Sequence, residues 1–433
     1  MQVSVEQLNS LGRKMSISLP QETFQSSYQK RVNEAAKNAF IAGFRRGKVP
    51  TKIIEQRYGA QLKDDVSRDL VREHLGKALE AQKLKIAGTP QVNVPNLAQG
   101  AFSFEVTFDV LPEIGVVDVS GLKVKREVAS ISEADIDQMI ENLRQQRRSW
   151  EETERAAQVG DLASFEFSAQ IGELRVPEQN VERGAAVLGS GNVLPEIDSA
   201  LAGMSKGETK TFAVNYPAET KDERVAGKTG EATITLTQTR APVLPAVDEE
   251  FIQSFGVPSG SLETFRSEIR GNLERELRAA LSARLRAEVV DALIKAFPDF
   301  ELPESLVSRE AESLRAQTVE NFKRQGGEVK ELPPLEGFLS TARNRTRGGL
   351  LLDAIAEQNE IKLEIARVQD AISAIASTYE DPMEVVKMYQ SDERMVSALR
   401  ARVMEEQIAE WVAERAQTEN QETSFAAIVK GSR

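Results

Sequence analysis

An apolar residue stands at every fourth position from Phe265 to Phe297: Phe265, Ile269, Leu273, Leu277, Leu281, Leu285, Val289, Leu293 and Phe297. Four residues advance an α-helix by about 400°, so the stripe drifts about 40° per step and winds about 320° over its length. A straight helix lying on one wall needs no such drift. If the helix runs through Gly271, its apolar face must turn toward different partners along its length. That suits an arm that leaves a body and meets several segments, or a groove open to a ligand. The other reading is a break near Gly271 with separate packing on each side, because glycine lowers helix propensity.

The totals agree with an extended, divided chain. A length of 433 residues suggests two to four domains. Aromatics at 6% and charged residues at 28% favour elongated helical parts over one large core. The absence of cysteine excludes disulfides and thiolate metal sites. The single histidine, His74, sits among charged neighbours and reads as a surface residue, so no metal or cofactor is expected. Glu6 interrupts any signal-like start, and no apolar run approaches the ~18–20 residues of a membrane span, so a cytosolic protein without a membrane partner is expected. The net charge of −12 argues against broad nucleic-acid affinity; any RNA contact should be local.

Residues 1–112 read as an α+β domain. Val3 and Val5, then Met15, Ile17 and Leu19, alternate with polar residues around a turn at Asn9–Gly12. A helix is expected from about Gln21, with Phe24, Tyr28, Val32, Ala35, Ala36 and Phe40 at helical spacing. A short helix should end at Tyr58 with Gly59 as its C-cap, and another should run from about Gln61 to Gln82. Gly88-Thr89-Pro90 reads as a turn before a strand in which Phe102, Phe104, Val106, Phe108 and Val110 share one face.

Residues 113–149 begin a helical domain, with a short strand at Val124–Val128 and a helix from Ser132 to Trp150. Helical periodicity then stops. Over residues 150–245 short strand patterns replace it: Leu162–Ser168, Thr209–Asn215 and Glu231–Gln238, punctuated by glycine pairs. Two phosphate-loop lookalikes are turns. Gly227-Lys228-Thr229 has Asp222 where the earlier glycine belongs, and Gly189-Ser190-Gly191-Asn192 lacks the Lys and Ser/Thr ending.

Helix resumes at Val247–Phe251, so residues 246–433 and 113–149 form one helical domain interrupted by the β-rich insertion. Helices are expected over Pro303–Arg324, Leu335–Gln358 and about Asp392–Gln417, and Asp381-Pro382-Met383-Glu384 has a capping-box layout. Arg343, Arg345 and Arg347 read as a solvated face. Met383, Met388, Met395 and Met404 suit either core filling, the simpler reading, or a surface that takes many apolar shapes. The tail from Thr418 is polar, with an apolar piece at Phe425–Val429 able to dock.

One loop carries the clearest functional signal: Gly43-Phe44-Arg45-Arg46-Gly47-Lys48-Val49-Pro50. The glycines permit sharp turning, and Pro50 suits the first position of a following helix, so the stretch reads as the tip of a helix–loop–helix. From Ala35 to Ile54 the basic residues are Lys37, Arg45, Arg46, Lys48 and Lys52, with no acidic residue. The tip could hold phosphates while Phe44 enters an apolar slot or stacks on a base. The bland alternative is a solvated basic turn with Phe44 folded back.

This loop resembles the signature of trigger factor, the bacterial ribosome-associated chaperone family. Met1–Glu6, Gln56-Arg57-Tyr58-Gly59 and Ala376–Pro382 resemble that family too, and the similarity runs essentially end to end. The resemblance implies a multidomain α+β protein: an N-terminal ribosome-binding domain, an inserted FKBP-like β-rich domain and a discontinuous all-α arm domain. It implies docking through Gly43, Phe44, Arg45, Arg46 and Lys48 at the large subunit's peptide exit, on a ribosomal protein and nearby rRNA. It also implies ATP-independent shielding of nascent and unfolded polypeptides, and a monomer–dimer equilibrium off the ribosome.

Residues 150–245 resemble an FKBP-type peptidyl-prolyl isomerase domain through Gly160-Asp161, Phe165-Glu166-Phe167, Leu188–Gly191, Leu194-Pro195, Lys206-Gly207-Glu208 and Tyr216-Pro217. The resemblance implies a pocket lined by Phe167, Leu194, Ile197, Phe212 and Tyr216. The usual Ile-Pro-Gly-Phe-Glu is here Leu194-Pro195-Glu196-Ile197-Asp198, and the tyrosine of Phe-Pro-Glu-Glu-Tyr-His is replaced by Thr220. Losing two aromatics removes contact area, so reduced isomerase activity is expected. Two other classes remain at this point: an isomerase whose arms only present substrate, and a helical scaffold. The altered pocket argues against the first and the Phe44 loop against the second.

Overall fold

The computed structural model describes residues 1–42, 44–45, 47–93, 101–178, 181–218, 220, 224–327, 329, 331–379 and 381–430. It separates into two compact units: Met1–Val128 with Leu281–Glu422, and Ala129–Ala280 with Thr423–Arg433.

The first unit opens with β1 (Gln2–Gln7) and β2 (Gly12–Pro20), then α1 (Gln21–Asn38), α2 (Thr51–Gln82), β3 (Ile86–Asn93) and β4 (Ala101–Val110). The four strands form an antiparallel sheet in the order β1-β2-β4-β3. Its register sets Met15, Ile17 and Leu19 against Val106, Phe104 and Phe102. All six are buried, under Phe24 of α1 and Val66, Leu70 and Ala78 of α2. Strict alternation made this face, since a period of two puts every second side chain on one side.

Two expectations change here. α2 is one helix through Gly59, which is buried. A Cβ at Gly59 would meet the Tyr28 hydroxyl at 3.3 Å, so the glycine serves close approach of α1 rather than a helix end. The end comes at Lys83, in the left-handed region with φ of 53°. Gly88-Thr89-Pro90 is a bulge inside β3, with a register shift between Ala87 and Gln91, rather than a turn.

The rest of the chain begins with β5 (Lys123–Val128) in the first unit. The second unit follows with α3 (Glu133–Gln146), β6 (Ser149–Glu152), β7 (Leu162–Ile171), β8 (Leu174–Val176), β9 (Glu182–Val187), α4 (Pro195–Leu201), β10 (Thr209–Asn215), β11 (Thr229–Val243) and α5 (Glu249–Gln253). Ser132 caps α3 reciprocally with Asp135, and Asp248 caps α5. The expected helix stops short of Trp150, which lies in β6 on the edge of β11. The β-rich sheet runs β10-β11-β7-β8, with β9 also on β7.

α6 (Leu262–Ala296) is continuous through Gly271, which settles the choice left open by the stripe. Phe265, Ile269 and Leu273 close a core in the second unit with Ile136, Ile140, Phe251 and Val257. Leu285, Val289 and Leu293 belong to a core of the first unit with Val117, Val124, Leu351, Ile355, Ile408 and Val412. The drifting stripe thus serves two cores in succession.

In the first unit α7 (Glu304–Arg324) and α8 (Glu336–Gln358) pack as a pair through Val307, Ala311, Leu314 and Ala342. Arg343 reaches Glu304 at 2.9 Å and Arg345 reaches Glu310 at 3.3 Å, while Arg347 lies over the Phe300 ring. The arginine run therefore bridges to α7 instead of being a merely solvated face. α7 also meets the N-terminal sheet. Ser305 N donates to Asp109 Oδ2 and its hydroxyl to the Ala87 carbonyl, both at 3.1 Å. A Cβ at Gly88 would come 3.0 Å from that hydroxyl.

α9 (Ile365–Ala376), α10 (Pro382–Ser391) and α11 (Glu393–Arg415) follow, then β12 (Gln417–Glu422) and α12 (Phe425–Lys430). Asp381 caps α10 by accepting from Met383 and Glu384 N–H. The polar tail is partly strand: β12 pairs in parallel with β5 over Gln417–Glu422. Its side chains are mostly exposed, so no apolar alternation advertised it. In the second unit Phe425 packs on the α3–α6 core, as the apolar end piece suggested.

Leu273→Ala and Leu293→Ala should each cost about 2–5 kcal/mol locally by leaving a cavity. Because each serves a different core, Leu273→Ala should raise amide hydrogen exchange in α3 and spare α11, and Leu293→Ala the reverse. Equal loosening of both helices by either change would refute the two-core account.

Candidate functional site

The basic tip is held at its two ends. α1 stops at Asn38 because Ala39 turns extended, with φ −66° and ψ 139°. Ile41 and Val49 are buried among Val32, Ala36, Ile54 and Leu62, so the loop is pegged on both sides into the α1–α2 hairpin. Between the pegs, Phe44 N donates to the Ile41 carbonyl at 3.1 Å and Lys48 N to the Arg45 carbonyl at 2.9 Å. Gly47 takes φ of 79°, a conformation that costs side-chain-bearing residues about 1–2 kcal/mol. Pro50 precedes the first helical residue, Thr51, one position earlier than expected.

Phe44 is 38% exposed, and Arg45 and Lys48 are exposed beside it. The Phe44 ring is thus partly covered and partly accessible. Gly43 and Arg46 lie outside the described residues. Lys37, Arg45, Lys48 and Lys52 are all exposed, and none forms an ion pair with another described residue. The periodicity misassigned one residue: Phe40 follows the helix end and is 86% exposed. The missing signal was the end of α1 itself, since Ala-Phe-Ile-Ala carries no helix breaker.

In the β-rich module the five pocket candidates converge on one cluster. Phe167 and Ile197 are buried in it, and Leu194, Phe212 and Tyr216 lie half-buried on its surface. β7 supplies Phe167, α4 and its entry supply Leu194 and Ile197, and β10 leads from Phe212 to Tyr216. Tyr216 N donates to the Lys228 carbonyl at 3.0 Å, fixing the ring's base. Burial, then the Glu182 carboxylate, pushes the Tyr216 phenol up, so at neutral pH it keeps its proton and can donate. Beneath the module Asp161, 1% exposed, accepts a two-pronged pair from Arg155 at 2.6 and 2.8 Å and a bond from Gln158 N.

Glu196 occupies the position where the resemblance called for glycine. The bond to its own backbone N–H, then the 3.0 Å bond from Asn215 Nδ2, holds its carboxyl below the usual range. A cavity of about 550 Å³ opens beside it, lined by Pro195, Glu196, Ser199, Ala200, Lys210, Thr211, Phe212 and Ala213. Of the five candidates, Phe212 lines this cavity. Rotation about an X-Pro amide needs no nucleophile, only desolvation and preference for the twisted amide over the planar one, against a barrier of ~18–20 kcal/mol.

The helical part of the first unit exposes apolar side chains: Phe322 on α7, Leu332 between α7 and α8, Ile365 at the start of α9, Tyr379 between α9 and α10, and Met383 and Met388 on α10. Met404 packs on a core, but Met383 and Met388 are 62% and 46% exposed, so core filling does not describe all four methionines. Among the described residues no cluster of His, Cys, Asp or Glu could hold a metal ion, and no helix is long and apolar enough to cross a membrane.

Known proteins match along the whole chain. Residues 1–143 match the family described as bacterial trigger factor protein (TF), and residues 261–414 match that family's C-terminus. Residues 153–237 match FKBP-type peptidyl-prolyl cis-trans isomerase. The trigger factor of Xanthomonas euvesicatoria pv. vesicatoria (strain 85-10) is 45% identical over 432 residues, covering 99% of this chain and all (100%) of the relative. That of Stenotrophomonas maltophilia (strain R551-3) is likewise 45% identical with the same coverage. A solved structure concerning promiscuous substrate recognition by the trigger factor chaperone covers 96% of this chain and 99% of its own at 16% identity, with a TM-score of 0.42. An overall identity of 45% across 99% of the chain, with trigger factor models matching both its beginning and its helical end, leaves one assignment, and the chain belongs to the bacterial trigger factor family.

Proposed function

We propose that this trigger factor docks at the peptide exit of the large ribosomal subunit through Gly43, Phe44, Arg45, Arg46 and Lys48. There it shields emerging and unfolded polypeptides on the apolar side chains of its helical arms. The observation that carries the reading is the tip itself: exposed cations without acidic partners around an exposed ring, on a loop pegged by Ile41 and Val49. Such a loop presents charge to an anionic surface at little ordering cost. Residues such as Ile365, Tyr379 and Met383 fit many weak apolar contacts that form and release without ATP. The working compartment is the cytosol, and off the ribosome the chain exchanges between monomer and dimer. Phe44→Ala/Arg45→Ala/Arg46→Ala should lower affinity for vacant ribosomes at least ten-fold in co-sedimentation, with an unchanged circular dichroism spectrum. Undiminished binding by the triple variant would move the contact elsewhere.

The FKBP-type module acts as a weak prolyl isomerase, with Phe167, Leu194, Ile197, Phe212 and Tyr216 as the wall for the proline ring. Glu196 and Ile197 limit it: one adds a charge beside the wall, the other removes an aromatic face worth about 0.5–1.5 kcal/mol in ring contact. Glu196→Gly/Ile197→Phe should therefore raise kcat/KM on a proline tetrapeptide several-fold in a protease-coupled assay. A wild-type rate that the double substitution lowers would show that these residues suit the site as they stand.

A further inference from the structure

We propose that Phe40 is a second aromatic anchor of the docking tip, and that it stacks on an unpaired base of ribosomal RNA while Lys37 holds a neighbouring phosphate. The inference rests on the docking reading and adds to it a residue outside the Gly43–Pro50 signature.

An exposed apolar side chain alone explains nothing, since single ones are common on protein surfaces. The setting of Phe40 is what matters. The chain leaves α1 at Asn38 in extended form, and Ile41, 3% exposed, points into the hairpin. Ile41 takes the buried place beside Val32 and Ala36, and its neighbour Phe40 stays outside. At 86% exposed, its ring is almost wholly accessible. Lys37 precedes it by three residues on the last turn of α1, and Arg45, Lys48 and Lys52 follow. No acidic residue interrupts the run from Ala35 to Ile54.

That charge selects the partner. A cluster of cations without counter-charge, in a chain whose net charge is −12, complements a polyanion. An accessible flat ring among cations is the usual platform for an unstacked base, because every base has a π-face and the flanking phosphates meet the lysines. An apolar slot in a protein would accept any side chain of similar bulk, whereas a base needs an aromatic one.

The test uses the full chain and vacant ribosomes, with Phe40→Ala, Phe40→Leu, Phe40→Trp and Lys37→Ala beside Phe44→Ala. Phe40→Ala and Phe40→Leu should both weaken binding about ten-fold, within the range for one lost base–aromatic stack. Phe40→Trp should bind at least as tightly as wild type, and Lys37→Ala should flatten the salt dependence by about one ion. Full binding by Phe40→Leu would overturn base stacking in favour of a protein slot. Full binding by Phe40→Ala, with loss in Phe44→Ala, would place Phe40 outside the contact. If wild type fails to sediment, or Phe44→Ala has no effect, the docking reading itself falls and this inference with it.

Discussion

The structure depends on α6 keeping its helical path through Gly271 while its apolar face rotates. A helix with a fixed stripe could close one core. This one closes the α3–α5 core with Phe265, Ile269 and Leu273, and then the core around Leu351, Ile408 and Val412 with Leu285, Val289 and Leu293. Glycine costs a helix interior about 1 kcal/mol relative to alanine. Two buried clusters, each supplying several side chains worth about 1.5–3 kcal/mol, outweigh that penalty. The β-rich module sits in sequence between α3 and α5, so the helical core of the second unit must be assembled from segments on both sides of it. Arg266 ties these segments from outside, reaching Glu133 at 2.6 Å and Asp137 at 2.5 Å. Those pairs are exposed and add little; the buried side chains do most of the holding.

The basic tip solves a different problem, which is how to expose what folding tends to bury. Phe40 and Phe44 would gain by collapsing onto the hairpin, and the loop is too short to prevent it by length alone. The pegs prevent it by direction. With Ile41 and Val49 both fixed in the same cluster, Phe40 beside Ile41 stays outside it, and Phe44 is carried on a turn closed by its N–H on the Ile41 carbonyl. The stability gained from the two buried aliphatics offsets the exposed rings. The FKBP-type module shows the opposite balance, because Phe167 and Ile197 are drawn largely into its core while Leu194, Phe212 and Tyr216 lie half-buried at its surface.

What could be read in advance followed period and capping. The Phe102–Val110 strand, the Met15–Leu19 strand, the α6 stripe and the Asp381 cap were legible because each has a local physical signature. The errors came where tertiary contact overrides such signatures. Gly59 looks like a helix end until Tyr28 is seen against it, and Gly88 like a turn until Ser305 is. β12 shows no apolar alternation, and what holds it is backbone pairing to β5, with Gln417 opposite Lys123 from far earlier in the chain. Arg343 and Arg345 looked free because their partners Glu304 and Glu310 come from another helix. At the site, the identity of the basic loop was legible but the exposure of Phe40 was not, since it depends on where α1 stops.

Charge placement gives the tip its independence. Elsewhere in the chain a number of lysines and arginines are matched to carboxylates, among them Arg31 to Asp69, Arg155 to Asp161, Arg284 to Glu127 and Arg367 to Glu410. Paired charges cancel within a few ångströms and project little field. Lys37, Arg45, Lys48 and Lys52 have no such partners among the described residues, so their field reaches outward as far as screening allows, about 8 Å at physiological ionic strength. Beyond that distance an approaching polyanion meets a body with a surplus of carboxylates. Attraction is therefore confined to contact range, where ring and phosphate geometry can be read, and a polyanion that offers charge but no fitting surface gains little.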